Sequence, residues 1–174
     1  MRIAISSKSG CGNTTVTKLL AQRLGYPMIN FTFRQMAEEK GVDFWTFCQM
    51  AEEDHSIDRE LDRRQVEMAM AEKDCILGSR LAIWMLEQAD LKVYLTASVE
   101  TRARRIQKRE GGTFEERYSQ TASRDDHDTA RYKEIYGIDN SKAEGVADLV
   151  IATDSLTPDE IVSIIMRALE RLED

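Results

Sequence analysis

The first 24 residues constrain the fold of this chain most. Ile3, Ala4 and Ile5 make a short apolar run, small polar residues fill positions 7 to 15, and Val16, Leu19, Leu20 and Leu24 then recur at helical spacing. That order reads strand, loop, helix. In the loop, Ser7-Lys8-Ser9-Gly10-Cys11-Gly12-Asn13-Thr14-Thr15, the two glycines let the backbone curl so that successive N–H groups point inward. The start of the helix adds a partial positive charge, and the two features together suit a phosphate group. The same run also reads as a plain tight turn with Lys8 in solvent, but the flanking elements stand in the order that a phosphate loop demands.

Further apolar runs occur at Cys75 to Leu77, Leu91 to Leu95 and Leu149 to Ala152, with Met28 and Ile29 as a short additional candidate. Uniformly apolar strands alternating with helices predict an α/β fold, a parallel sheet covered on both faces. The polar helical stretch 31–72, broken near Gly41 and again at 54–56, reads as an inserted helical cap. A second, 114–136, follows Gly111 and Gly112, which could hinge a mobile segment spanning 111–139. The last helix is expected after the cap Thr157, with Pro158 at its first position and Glu160 at its third. At 174 residues the chain is sized for a single domain, 1–174. Trp45, Trp84 and the methionines read as packing residues, His55 and His127 as surface residues.

Hydrophobic residues at 42% and charged residues at 32% exclude both a disordered and a membrane-embedded chain. No apolar run approaches the roughly 20 residues of a spanning helix, and Met-Arg-Ile-Ala-Ile-Ser is not an apolar leader, so a cytoplasmic location is expected. Cys11, Cys48 and Cys75 are odd in number and lack metal-ligand spacing, which leaves them as reduced packing residues. A net charge of −7 argues against nucleic acid as a partner. An anionic small molecule would have to be met by a local cluster of arginines.

Measured against the Walker A pattern, Gly-x-x-x-x-Gly-Lys-Ser/Thr, Ser7 stands at the first position and Asn13 where lysine belongs. Thr14 remains as the expected magnesium contact, and Thr15 can face the α-phosphate. Asn13 can donate a hydrogen bond but carries no charge. Lys8 occupies the second loop position, where deviant Walker A proteins carry an additional lysine, and could supply the missing charge within its own chain or across a homodimer.

Arg124, Asp128 and Arg131, in the run Arg-Asp-Asp-x-Asp-x-x-Arg, fall at i, i+4 and i+7 and share one helix face. Two guanidinium groups on one face suit a phosphoryl group in transfer, although most such runs are only solvated faces with weak ion pairs. Taken with Arg34, the run Ser56-Ile57-Asp58-Arg59-Glu60-Leu61-Asp62-Arg63-Arg64-Gln65, Gly78-Ser79-Arg80 and Tyr132-Lys133-Glu134-Ile135-Tyr136-Gly137-Ile138-Asp139, the sequence resembles the cytidylate kinases, and among them the type 2, archaeal-like form.

The resemblance spans Ile3 to about Leu169 and implies the P-loop nucleoside-monophosphate-kinase fold. Its parts would be a five-stranded parallel sheet flanked by helices, a helical acceptor-binding cap at 31–72 and a lid at 111–139. It implies transfer of the γ-phosphoryl group of ATP to CMP or dCMP with Mg2+. It puts residues 7–15 on ATP, Arg34 and Arg80 on the acceptor phosphate, Arg124 and Arg131 on the transferring phosphate, and Asp128 near the acceptor ribose. Asp58, Arg59, Asp62 and Arg63 would lie in the acceptor region. The family usually has an acidic residue where this chain has Gly78, so three departures, Ser7, Asn13 and Gly78, fall in the donor site. A catalytically impaired nucleotide-binding or regulatory module of the same fold, and a kinase for another small metabolite, stand as alternatives. No linker, repeat or membrane segment is expected, and the chain is read as a monomer or homodimer that binds small-molecule nucleotides.

Overall fold

The structure, a computed structural model, describes residues 1–173. In chain order its elements are β1 (Arg2–Ser7), α1 (Asn13–Leu24), β2 (Met28–Ile29), α2 (Phe33–Lys40), α3 (Phe44–Glu53), α4 (Ser56–Ala71), β3 (Cys75–Ser79), α5 (Ala82–Met85), β4 (Leu91–Thr96), α6 (Val99–Glu110), α7 (Phe114–Tyr136), β5 (Leu149–Ala152) and α8 (Pro158–Glu173). The five strands form one sheet in the order β2-β3-β1-β4-β5, every pair parallel. The two-residue run Met28–Ile29 is the edge strand.

Parallel strands need both faces covered, and alternate residues of β1 enter different cores. Ile3 and Ile5 pack with Val16 and Leu20 of α1 and Ile161 and Ile165 of α8. Ala4 faces the other side, with Ala69 of α4, Ala82 and Ile83 of α5 and Tyr94 of β4. A third, separate cluster of Phe31, Met36, Ala37, Phe47, Ala51 and Ile57 holds α2, α3 and the start of α4 together. The cap therefore has a small core of its own.

Local chemistry fixes the helix ends. Thr32 and Thr113 form capping boxes with Gln35 and Glu116 at the starts of α2 and α7. Thr157 and Glu160 make the same reciprocal pair at the start of α8, at 2.8 and 3.3 Å. Gly41 and Gly137 end α2 and α7 in the left-handed region, which no side chain beyond Cα obstructs.

Trp84 packs edge-on against Tyr94, but Trp45 does not pack as its hydrophobicity led us to expect. It is 76% exposed, because α3 turns Phe47 and Ala51 inward and Trp45 lies off that face. His127 is exposed, while His55 is half-buried at the start of α4.

Candidate active site

The loop between β1 and α1 wraps one end of a cavity of about 480 Å³. Gly10 and Gly12 both have positive φ, 83° and 91°. A Cβ on Gly10 would also lie 2.9 Å from the Cβ of Arg102, so two independent constraints require glycine there. Ser7 belongs to β1, is fully buried and has no positive φ, so its replacement of the usual glycine leaves the loop undistorted. Its hydroxyl donates to the Lys8 carbonyl at 3.0 Å.

Asn13, the first residue of α1, turns away from the loop and into the sheet. Its amide nitrogen donates to the carbonyls of Ile5 (3.0 Å) and Ser79 (3.5 Å), and its oxygen accepts from Thr17 Oγ1 at 3.1 Å. Every strong hydrogen-bonding group of this side chain is thus used inside the protein. Thr14 and Thr15 are exposed on the first turn of α1, and both line the cavity.

Cationic groups surround the loop instead. Lys8 lines the cavity, with its ammonium 3.6 Å from Asp125 of α7. Arg102 is buried beneath the loop, where it donates to the Ser9 carbonyl at 3.1 Å and binds Asp125 through two hydrogen bonds, at 3.0 and 2.5 Å. This guanidinium and the Lys8 ammonium both tie the phosphate loop to Asp125 of α7. Arg105 donates to the Gly10 carbonyl (3.4 Å) and to Thr153 after β5, and Arg109 lines the same cavity. Leu156, Pro158 and Ile161 close it with apolar surface.

Arg102, Arg105 and Arg109 escaped the sequence reading, although their i, i+3, i+7 spacing on α6 places them on one helix face just as i, i+4, i+7 places Arg124, Asp128 and Arg131. Leu156 and Ile161 carried no signal beyond helix periodicity.

A second cavity, about 330 Å³, opens between the cap and α7. Asp58, Asp62 and Gln65 of α4, Arg80 after β3, and Arg124, Asp128, Arg131 and Tyr132 of α7 line it, beside Ile29, Phe31, Phe33 and Leu61. Asp128 stands 3.8 Å from Arg80 and 3.9 Å from Arg124. Arg131 pairs with the buried Asp58 at 3.3 Å. Burial pushes the Asp58 carboxyl above the usual carboxylate range, against the pull of Arg131. Asp62 accepts from the Tyr136 hydroxyl at 2.6 Å, yet burial still carries it up to about 6.

Thr14, Arg80 and Arg124 line both cavities, which therefore meet at these three side chains. Arg131 lines only the second. Seven residues of helix separate it from Arg124 by about 10 Å along the axis, so two arginines on one face reach different spaces. Arg59 and Arg63 are a further difference from the expected grouping: they lie on another side of α4, where Arg59 donates to the Ile135 carbonyl (3.4 Å) and Arg63 pairs with Glu67 (2.5 Å). They line a separate hollow with Val66 and Met85. On α4 the cavity-facing side takes Asp58, Leu61, Asp62 and Gln65, at i, i+3, i+4 and i+7, which leaves Arg59 and Arg63 on the other side of the helix. Arg34 is exposed on α2, with its guanidinium 4.3 Å from the centre of the Phe44 ring, and lines neither cavity.

Among the described residues no group of three or more His, Cys, Asp and Glu side chains is arranged to hold a metal ion, and no helix is long and apolar enough to cross a membrane.

A glycine loop at a helix start, sharing a wall of Thr14, Arg80 and Arg124 with a second polar cavity, is the layout of a P-loop phosphotransferase of the nucleoside-monophosphate-kinase type. The chain belongs to the cytidylate kinase-like family, whose model matches residues 2–155. It is 41% identical over 175 residues to cytidylate kinase 2 of Borreliella afzelii, covering 98% of this chain and 97% of that one. It is 39% identical to the cytidylate kinase of Pyrococcus furiosus, covering 98% and 89%. Among solved structures, shikimate kinase from Bacteroides thetaiotaomicron shares the fold with a TM-score of 0.64 at 17% identity, covering 98% of each chain.

Proposed function

We propose that the protein transfers the γ-phosphoryl group of ATP to CMP or dCMP, using Mg2+. The observation that carries this reading is the meeting of the two cavities at Thr14, Arg80 and Arg124. Phosphoryl transfer asks for two reactants in line and for charge held around three equatorial oxygens, with little covalent chemistry from the protein. A junction flanked by two guanidinium groups answers that need. The kinship to cytidylate kinases on two branches, at about 40% identity, supports the cytidine nucleotides as acceptors.

In this reading residues 7–15 cradle the ATP phosphates through backbone N–H groups, and Leu156, Pro158 and Ile161 receive the apolar face of the adenine. The Thr14 hydroxyl is free to bind Mg2+, whose remaining ligands would be phosphate oxygens and water, as is usual for this ion. The ion would neutralise charge on the phosphates. Arg80 and Arg124 hold the transferring group and the acceptor phosphate. Asp128 orients both arginines and faces the acceptor sugar, and Asp58 and Asp62 line the acceptor space. Arg34, on the cap, reaches the acceptor phosphate when the cap closes. Arg59 and Arg63 are left out of the acceptor contacts. Lys8 supplies the charge that Asn13 lacks, leaving Asp125 for the phosphates.

The turned-in Asn13 favours a second reading, a nucleotide-binding module with impaired chemistry. A coupled assay with Mg-ATP and CMP, dCMP, UMP or AMP decides between the two. Turnover confined to cytidine nucleotides is expected, with a loss of at least about tenfold in kcat/KM for Lys8→Ala, in line with one lost charge-assisted contact. Nucleotide binding without turnover would establish the second reading, and an unchanged Lys8→Ala enzyme would remove Lys8 from the mechanism.

A further inference from the structure

Arg102 and Asp125 form a buried ion pair, with side chains 3% and 11% exposed, and neither residue lines the first or the second cavity. The bond from Arg102 Nη1 to the Ser9 carbonyl, at 3.1 Å, is one of a series. The carbonyl of Lys8 accepts from Ser7 Oγ (3.0 Å), that of Gly10 from Arg105 Nη1 (3.4 Å), that of Cys11 from Thr153 Oγ1 (3.4 Å) and that of Gly12 from the Val16 N–H (2.9 Å). Five consecutive carbonyls of the phosphate loop, residues 8–12, are thus held by donors. In a trans peptide the carbonyl of one residue and the N–H of the next point in opposite directions, and none of these peptides is cis. Fixing the carbonyls therefore fixes the N–H groups that follow them. Those of Gly10, Cys11, Gly12 and Asn13 have no protein acceptor among the described residues. Amides preset in this way form an anion site that need not reorganise when its ligand arrives.

We propose that Arg102 is a positioning residue for phosphoryl transfer: it holds the loop amides in their phosphate-binding direction and, through Asp125, sets Arg124 against them. The inference rests on the loop being the donor site of a phosphotransferase. Of the five donors, Arg102 alone also binds α7, through two hydrogen bonds to Asp125 at 3.0 and 2.5 Å. Asp125 directly follows Arg124, which lines both cavities, so the guanidinium that orients the amides also fixes the place from which Arg124 reaches the phosphates. Lys8 brings a second cation to Asp125, at 3.6 Å, and the cluster of two cations and one carboxylate keeps a positive charge behind the loop. Fixed charge and preset amides together supply part of what the uncharged Asn13 cannot. The planar fork of arginine suits the task, because the Ala97 carbonyl, the Ser9 carbonyl and Asp125 are all served at once.

The test measures equilibrium binding of ATP, tripolyphosphate and CMP, together with kcat and KM for both substrates. It compares the unmodified protein with Arg102→Lys and with the double variant Arg102→Met/Asp125→Leu. Tripolyphosphate isolates the loop, since it carries no base or sugar. Lysine has no fork and cannot hold all three acceptors, so Arg102→Lys is expected to weaken ATP and tripolyphosphate alike by about tenfold and to leave CMP binding within about twofold of the parent. The double variant removes both charges together and strands neither in the interior, which preserves the fold. It is expected to lose at least as much affinity for ATP and tripolyphosphate, although it frees Lys8, and to lower kcat because Arg124 is no longer set. A folded double variant with parental tripolyphosphate affinity would overturn the proposal. So would equal losses for ATP and CMP, the mark of a pair that serves only stability. Should the double variant fail to fold, parental ATP and tripolyphosphate affinity in Arg102→Lys overturns it alone. Absence of turnover with every acceptor, alongside tripolyphosphate binding that depends on Arg102, would refute the kinase reading and leave the positioning role standing. CMP turnover with ATP affinity indifferent to both variants would do the reverse. An unmodified protein that binds neither ATP nor tripolyphosphate would overturn both.

Discussion

At residue scale, the departures at positions 13 and 78 are one adjustment. A Cβ on Gly78 would sit 2.7 Å from Asn13 Oδ1 and inside van der Waals contact of Thr17 Oγ1, so the space an acidic side chain would need is filled by the Asn13–Thr17 hydrogen bond. Asparagine at 13 also bonds the sheet carbonyls of Ile5 and Ser79 through its amide nitrogen. Gly78→Ala should therefore cost about 2 kcal/mol by overpacking. In an Asn13→Ala background, where one of the two clashing atoms is gone, the same change should cost about 1 kcal/mol less. Urea denaturation of the two single variants and the double variant measures the difference. Strict additivity would mean that the two positions adapted independently.

At the scale of elements, α4 and α7 are joined across the second cavity by Arg131 with Asp58 and by Tyr136 with Asp62. The Asp62 carboxyl, raised to about 6 by burial, binds a proton in the folded protein at pH values where the unfolded chain has already lost it. Between about pH 4 and pH 6 the folded state thus holds the extra proton, and the free energy of unfolding falls as pH rises through that window. Above it the ionised, half-buried carboxylate is a standing cost of about 3 kcal/mol. Asp62→Asn keeps an oxygen for the Tyr136 hydroxyl and removes the titration. Its denaturation midpoint should exceed that of the parent at pH 7 and match it near pH 4. An identical pH dependence in both proteins would show that Asp62 titrates normally.

For the whole molecule, helices α2 to α4 have their own core while the sheet has two others, and helix α7 is bound to the phosphate loop through Asp125 and Arg102. A ligand that occupies both cavities at once grips all of these parts. An adenosine–cytidine compound bridged by five phosphates should accordingly bind more tightly and raise the melting temperature more than ATP and CMP do separately at equal concentration. At a hundredfold excess over its dissociation constant, the stabilisation should be about 2.7 kcal/mol. A compound no better than ATP alone would mean that the cavities do not act together. The strand, loop and helix at the N-terminus, the sheet strands, the cap breaks at Gly41 and Asp54 and the start of α8 were legible in the sequence, because periodicity and capping act between residues near in the chain. The arginine patterns marked a site for the same reason. The tertiary structure alone decided that Arg124 and Arg131 serve different spaces, that Arg59 and Arg63 turn from the cavity while Asp58 and Asp62 face it, and that Asn13, Thr17 and Gly78 share one volume. Those outcomes depend on which side of a helix meets another element and on how much room is left there, and both are set by contacts between residues that are distant in sequence.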